Sequence, residues 1–156
     1  MYQLVMGIQV VSIIAVFAEC WVVFKNWKGV LHSWLFLSCV ATLANNTGYF
    51  FQLMARTEEA YFTALRLSYL GRVWVAFALF MFIMELVRYK IPQIAKILFA
   101  LINAVTYVIV ITTQRTGLYY RNVKFRMNGQ FPDFGHVNGI WHHFWNITLI
   151  QNSKLL

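Results

Sequence analysis

Residues 4–24 are apolar apart from Gln9, Ser12 and Glu19, and Val30–Met54 contains no Asp, Glu, Lys or Arg. A helix needs about 20 mostly apolar residues to cross the hydrocarbon of a bilayer. Both stretches reach that length, so the chain is predicted to be an integral membrane protein. Charged residues make up only 12% of the sequence, against roughly 25% in soluble domains. Trp21, Trp27, Trp34, Trp141 and Trp145 fall near predicted segment ends, where indole rings favour the headgroup level. A single domain over 1–156 is expected.

Five spans are predicted, over residues 4–24, 30–54, 61–87, 94–112 and 137–153. Arg66 and Arg72 interrupt the first half of the third, and the fifth is weakly apolar. Pro92 suits the start of the fourth helix. The connections between spans carry most of the basic residues. The net charge of +8 is therefore assigned to topology and lipid headgroups, with the bilayer and not nucleic acid as partner. The first helix usually dominates orientation. Its N-terminal flank, Met1-Tyr2-Gln3, has no charged side chain, whereas Lys25 and Lys28 follow it. This predicts the N-terminus and the 113–136 segment outside, and the 25–29 and 88–96 loops in the cytoplasm. No cleavable signal peptide is expected, because a charged leading region is missing and the first apolar run is long enough to span.

Within 113–136, Val123, Phe125 and Met127 alternate with Asn122, Lys124 and Arg126, and Asn128-Gly129 follows. Period-two alternation ending in Asn-Gly predicts a small external β-hairpin with a type I′ turn. The predicted fold is thus an all-α polytopic membrane bundle carrying one hairpin.

Three stretches, taken in order, resemble the seven-helix N-terminal input domain of bacterial membrane sensors, found on histidine kinases and diguanylate cyclases. They are Asn46-Thr47-Gly48-Tyr49-Phe50-Phe51-Gln52-Leu53, then Ala64-Leu65-Arg66-Leu67-Ser68-Tyr69-Leu70-Gly71. Gly117-Leu118-Tyr119-Tyr120, Phe125, Asn128-Gly129-Gln130-Phe131 and Gly139-Ile140-Trp141 complete the set. The resemblance implies a seven-helix pattern with an external N-terminus in the bacterial inner membrane. It also implies a cytoplasmic output domain, kinase or cyclase, as partner. About five of the seven helices are expected here, so the chain looks like an N-terminal fragment or a degenerate copy. Arg72 stands where an apolar residue is expected. A homodimer is left open.

Candidate chemistry centres on spans two and three. An arginine at mid-helix costs about 2.5–3.5 kcal/mol on insertion scales. Arg72 lies near the middle of span three, and Arg66 roughly 9 Å further out at about 1.5 Å per residue. They are either a site for an acidic or polar signal or structural arginines that snorkel or pair internally, and the structural reading carries more weight. In span two, Ser38, Thr42, Asn45, Tyr49 and Gln52 form one helical stripe, either a helix interface or the wall of a polar cavity, with the interface favoured. Ala44 and Gly48 beside it permit close helix approach. Arg72 is expected to bond at the level of Asn45 and Asn46, leaving Arg66, near Tyr69, to meet an external ligand. The candidate ligand-sensing or helix-coupling set is therefore Asn45, Asn46, Tyr49, Gln52, Arg66, Tyr69 and Arg72.

Glu85 is expected to pair with Arg88 or Tyr89, and Glu19 to be neutral or helix-bridged. Cys20 and Cys39 are expected as free, buried thiols. His142 and His143 point to different helix faces, so no metal site is expected with His136. No nucleophile–base–orienter set or phosphate loop is present, so no enzyme activity and no cofactor are expected. The leading function is a catalytically silent sensory input module. The alternatives are a small transporter or channel subunit, or a structural membrane protein.

Overall fold

A computed structural model describes residues 1–144. Four long helices, α1 (Tyr2–Lys25), α2 (Val30–Met54), α3 (Glu58–Leu86) and α4 (Gln93–Ile111), run up and down through short connections. A single turn, α5 (Thr113–Thr116), leads into the antiparallel hairpin β1 (Tyr120–Asn128) and β2 (Phe131–Asn138). Among the described residues, α1, α3 and α4 are long and apolar enough to cross a membrane. Helix α2 has the length, at 25 residues, but carries Ser, Thr, Asn and Gln along it. Its polarity follows from its place, since it packs between α1 and α3.

Two glycines set the spacing of α2 and α3. A Cβ on Gly48 would lie 2.2 Å from the Ser68 backbone nitrogen, and one on Gly71 would lie 2.0 Å from the Ala41 carbonyl oxygen. Without side chains at these points the two backbones touch, which is how membrane helices gain dispersion contact when water no longer drives them together. Gly71 packs on Ala41, one of the small residues of α2. The buried face of α2 accordingly runs through Ser38, Ala41, Gly48 and Gln52.

Helix ends follow local chemistry. Thr57 caps α3 by accepting the Ala60 N–H at 3.2 Å. Glu58 and Glu59 then complement the positive end of the helix dipole. Pro92 is the residue before α4 rather than its first helical residue. At the far end of α3, Tyr89 donates to the Met84 carbonyl and Arg88 to that of Glu85. This is the Schellman arrangement, here with Arg88 at a φ of +59°. Glu85 and Arg88 line a common cleft with Lys90 and Lys96, but the expected side-chain pair between Glu85 and Arg88 does not close.

The hairpin is present, with two departures from expectation. Asn128 pairs with Phe131, so the loop residues are Gly129 and Gln130. Gly129 has a φ of +61° and Gln130 has no positive φ. That is the type II′ pattern, with glycine first, in place of the type I′ turn. A bulge between Arg121 and Lys124 adds one residue to β1, with Asn122 at a φ of +50°. It turns Val123 and Phe125 inward, where both are half-buried. Val137 and Asn138 belong to β2 rather than to the fifth span. Helix resumes at residue 140, and the rest of that predicted span lies outside the described residues.

The hairpin folds back over the bundle end that carries the N-terminus. Arg56 Nη1 donates to the Gln130 carbonyl at 3.0 Å, and the Tyr2 and Phe131 rings meet edge-on at 5.1 Å. Phe134 stacks on Tyr61 at 4.7 Å and meets Phe62 edge-on at 5.5 Å. The N-terminus, the 55–57 connection and the hairpin therefore share one end, and the 25–29 and 88–92 connections share the other.

Candidate functional site

The site is built where α2, α3 and the hairpin converge. Arg72 is the midpoint of the 29-residue α3. Its Nε donates to Asn45 Oδ1 at 3.4 Å, and its guanidinium carbon lies 4.7 Å from the Tyr69 ring centroid. Asn45 Oδ1 also accepts the Ser68 hydroxyl at 2.9 Å. Close approach at Gly48 and Gly71 brings these groups within reach. The side-chain oxygen of one helix thereby satisfies two donors of the other. The terminal nitrogens of Arg72 make no hydrogen bond among the described residues, and the side chain is exposed.

Tyr69 carries the arrangement outward. It is 2% exposed, and its hydroxyl bonds to that of Tyr120 in β1. Its ring packs edge-on against Tyr119 at 5.3 Å. Burial pushes the Tyr119 and Tyr120 phenols well above their ordinary value, so both stay neutral and serve as hydrogen-bond groups. The Tyr120 N–H donates to Thr113 Oγ1 at 2.9 Å. Trp141 Nε1 donates to Thr106 Oγ1 of α4 at 3.0 Å. The path thus runs from Asn45 through Arg72 and Tyr69 to Tyr120 and the end of α4.

Of the residues singled out from sequence, the structure gathers Asn45, Tyr69 and Arg72 and separates the others. Asn46 turns to α1, where its Nδ2 donates to Ser12 Oγ at 2.9 Å and its carbonyl accepts Gln9 Nε2 at 2.9 Å. Asn46 therefore docks α1 and does not share Arg72. Tyr49 is 42% exposed and lies off the buried face. Gln52 is buried against α3, with its Nε2 unbonded. Arg66 is exposed and donates from Nη2 to Gln114 Oε1 of α5 at 3.2 Å. Six residues from Arg72, it sits about a third of a turn around the helix, on a different face.

Ser68, Tyr120 and Thr113 were not singled out. Ser68 had a signal, since it lies four residues before Arg72 in the Ala64–Gly71 motif. Tyr120 stood in the Gly117–Tyr120 motif, but its contact, like that of Thr113, depends on how the hairpin folds back. Cys20 and Cys39 are free and buried, and Glu19 is exposed. His136 Nδ1 pairs with the Phe134 carbonyl at 3.0 Å, and its ring packs on Tyr120. No group of three His, Cys, Asp or Glu able to hold a metal occurs among the described residues.

The family described as the N-terminal 7TM region of histidine kinase matches residues 8–152. No curated protein and no solved structure matches the chain.

Proposed function

Because this chain belongs to the N-terminal 7TM region family of histidine kinases, we propose that it is a catalytically silent sensory input module of a bacterial inner membrane. It reads a polar or anionic signal on the hairpin side, which is the outer side. It passes a change in helix packing to a kinase output joined at its cytoplasmic end. The proposal assigns the module five spans, with α2 as the second and the fifth beginning after the hairpin.

One observation carries the reading. A guanidinium at the centre of a membrane helix is tied through Tyr69 to the hydroxyl of Tyr120, a residue of the hairpin. An intramembrane charge is costly and marks function when it faces an internal polar group. Here its unbonded terminal nitrogens are available to an acceptor, and a ligand that draws the guanidinium outward would stretch the 3.4 Å Nε–Asn45 contact. Displacing that contact shifts α2 against α3, the most closely packed helix pair among the described residues. A bistable packed interface is the usual amplifier of such a shift.

Spin labels at Asn26→Cys and Tyr89→Cys, at the opposite end, test this in nanodiscs. Arg72→Leu should move their distance distribution by about 2 Å, the scale of helix shifts in switching proteins, while Leu70→Ala on the lipid side should not. Superimposable distributions for Arg72→Leu and the parent would remove the coupling. Solute flux through proteoliposomes that depends on Arg72 would instead favour a transporter.

A further inference from the structure

A polar recess opens beside the hairpin, with Tyr120 and Thr113 among its lining residues. It is a cleft of about 690 Å³ between α5 and β1, with Arg115, Thr116, Gly117 and Arg121 on its walls. Among the described residues, Glu58 is its only lining carboxylate. Arg66 adds a third guanidinium at the rim through its bond to Gln114, another lining residue. The Arg121 Nε is held by the Gly117 carbonyl at 3.3 Å, whereas the Arg115 side chain makes no hydrogen bond among the described residues. Arginine suits phosphate because its planar fork presents paired donors.

The cleft's height favours one source of phosphate. Helix α4 ends at Ile111, so the cleft sits within a turn of the end of an apolar, membrane-length helix. The coil continues past that end, since Thr112 donates to the Val108 carbonyl and Thr116 to that of Thr112. Helical spacing therefore places Arg115 above Thr112, Val108, Val105 and Leu101 on one line. The three apolar members are 53%, 38% and 58% exposed, in that order, and Leu118 beside the cleft is 40% exposed. A basic cleft above an open apolar track matches a headgroup above an acyl chain.

We propose that this cleft seats the phosphate of an anionic phospholipid of the hairpin-side leaflet, with Arg115 and Arg121 as its principal donors and an acyl chain along Leu101, Val105 and Val108. The proposal goes beyond the sensor reading and requires only that the chain sits in a bilayer.

Native mass spectrometry of the detergent-purified chain, offered phosphatidylglycerol and phosphatidylcholine with identical acyl chains, provides the test. Phosphatidylglycerol should be retained preferentially. Arg115→Gln and Arg121→Gln should each lower that preference about fivefold, the weight of one basic residue at an anionic surface. Lys124→Gln, on the same strand but outside the cleft, should leave it unchanged. Should Arg121→Gln disturb the turn at Gly117, Arg115→Gln decides alone. Unchanged preference in Arg115→Gln, or an equal loss in Lys124→Gln, overturns the site. Complete displacement of the lipid by millimolar inorganic phosphate overturns the lipid assignment in favour of a free anion.

Discussion

Gly71→Leu should unfold the α2–α3 pair, at a cost of about 3 kcal/mol or more. The added Cβ alone would stand 2.0 Å from the Ala41 carbonyl oxygen and 2.5 Å from the Asn45 backbone nitrogen. Both atoms are backbone and neither can rotate away. The helices must separate by more than an ångström along their whole crossing, and overpacking of this kind typically costs about 1–3 kcal/mol even where side chains can yield. Separation would also pull Asn45 from Ser68 and Arg72. Gly48→Leu should behave alike, because its Cβ meets the Ser68 backbone at 2.2 Å. Gly7→Leu is the matched control, since nothing lies within 4 Å of that position. Denaturant titration in bicelles should rank Gly71→Leu and Gly48→Leu far below Gly7→Leu. Equal stability for all three would mean that the helices do not cross here.

Phe134→Ala should release the hairpin without unfolding the helices. The ring stacks on Tyr61, meets Phe62 and Tyr120 edge-on, and packs beside His136. Truncating a fully buried Phe costs about 3–5 kcal/mol. Phe134 is half-buried, so about 2 kcal/mol is expected. That is comparable with the strength of the remaining anchors, the Arg56–Gln130 and Tyr69–Tyr120 hydrogen bonds. Hydrogen exchange of the amides over 120–138 should accelerate at least tenfold while those of α2 and α3 stay protected. Uniform acceleration would show that hairpin and helices form one cooperative unit. No acceleration would show that the aromatic cluster does not dock the hairpin.

Much of the helical frame was legible in the residues. Val30–Met54 is α2 to the residue, and the expected spans over 61–87 and 94–112 differ from α3 and α4 by a few positions at their ends. Length and apolar content suffice for this, because a membrane helix must satisfy its backbone internally. The site was legible only where a residue had one available neighbour. Arg72 and Asn45 fall at matching depth on helices joined by a short connection, and they meet. Asn46, one residue on, has two neighbouring helices to choose from. Its choice follows from Gln9 and Ser12, which are three apart on α1 and need a partner as much as it does. Tyr49 lies off the buried face because the polar stripe of α2 is wider than the face that Gly48 and Ala41 present to α3. The hairpin was foreseen from alternation, but the turn moved by one residue because Asn128 keeps its strand pairing and Gly129 supplies the positive φ. The Tyr69–Tyr120 contact had no local signature, since it joins residues 51 apart.

The signal-reading role assigned to the hairpin end depends on that end facing outward. A module whose Arg72 path and hairpin opened to the cytoplasm could not read an external signal. Single cysteines at Lys124 and at Lys28, placed in a background lacking Cys20 and Cys39, test this in intact cells with a membrane-impermeant thiol reagent. Lys124→Cys should label before lysis and Lys28→Cys only after it; labelling of Lys28→Cys but not Lys124→Cys in intact cells would contradict the account.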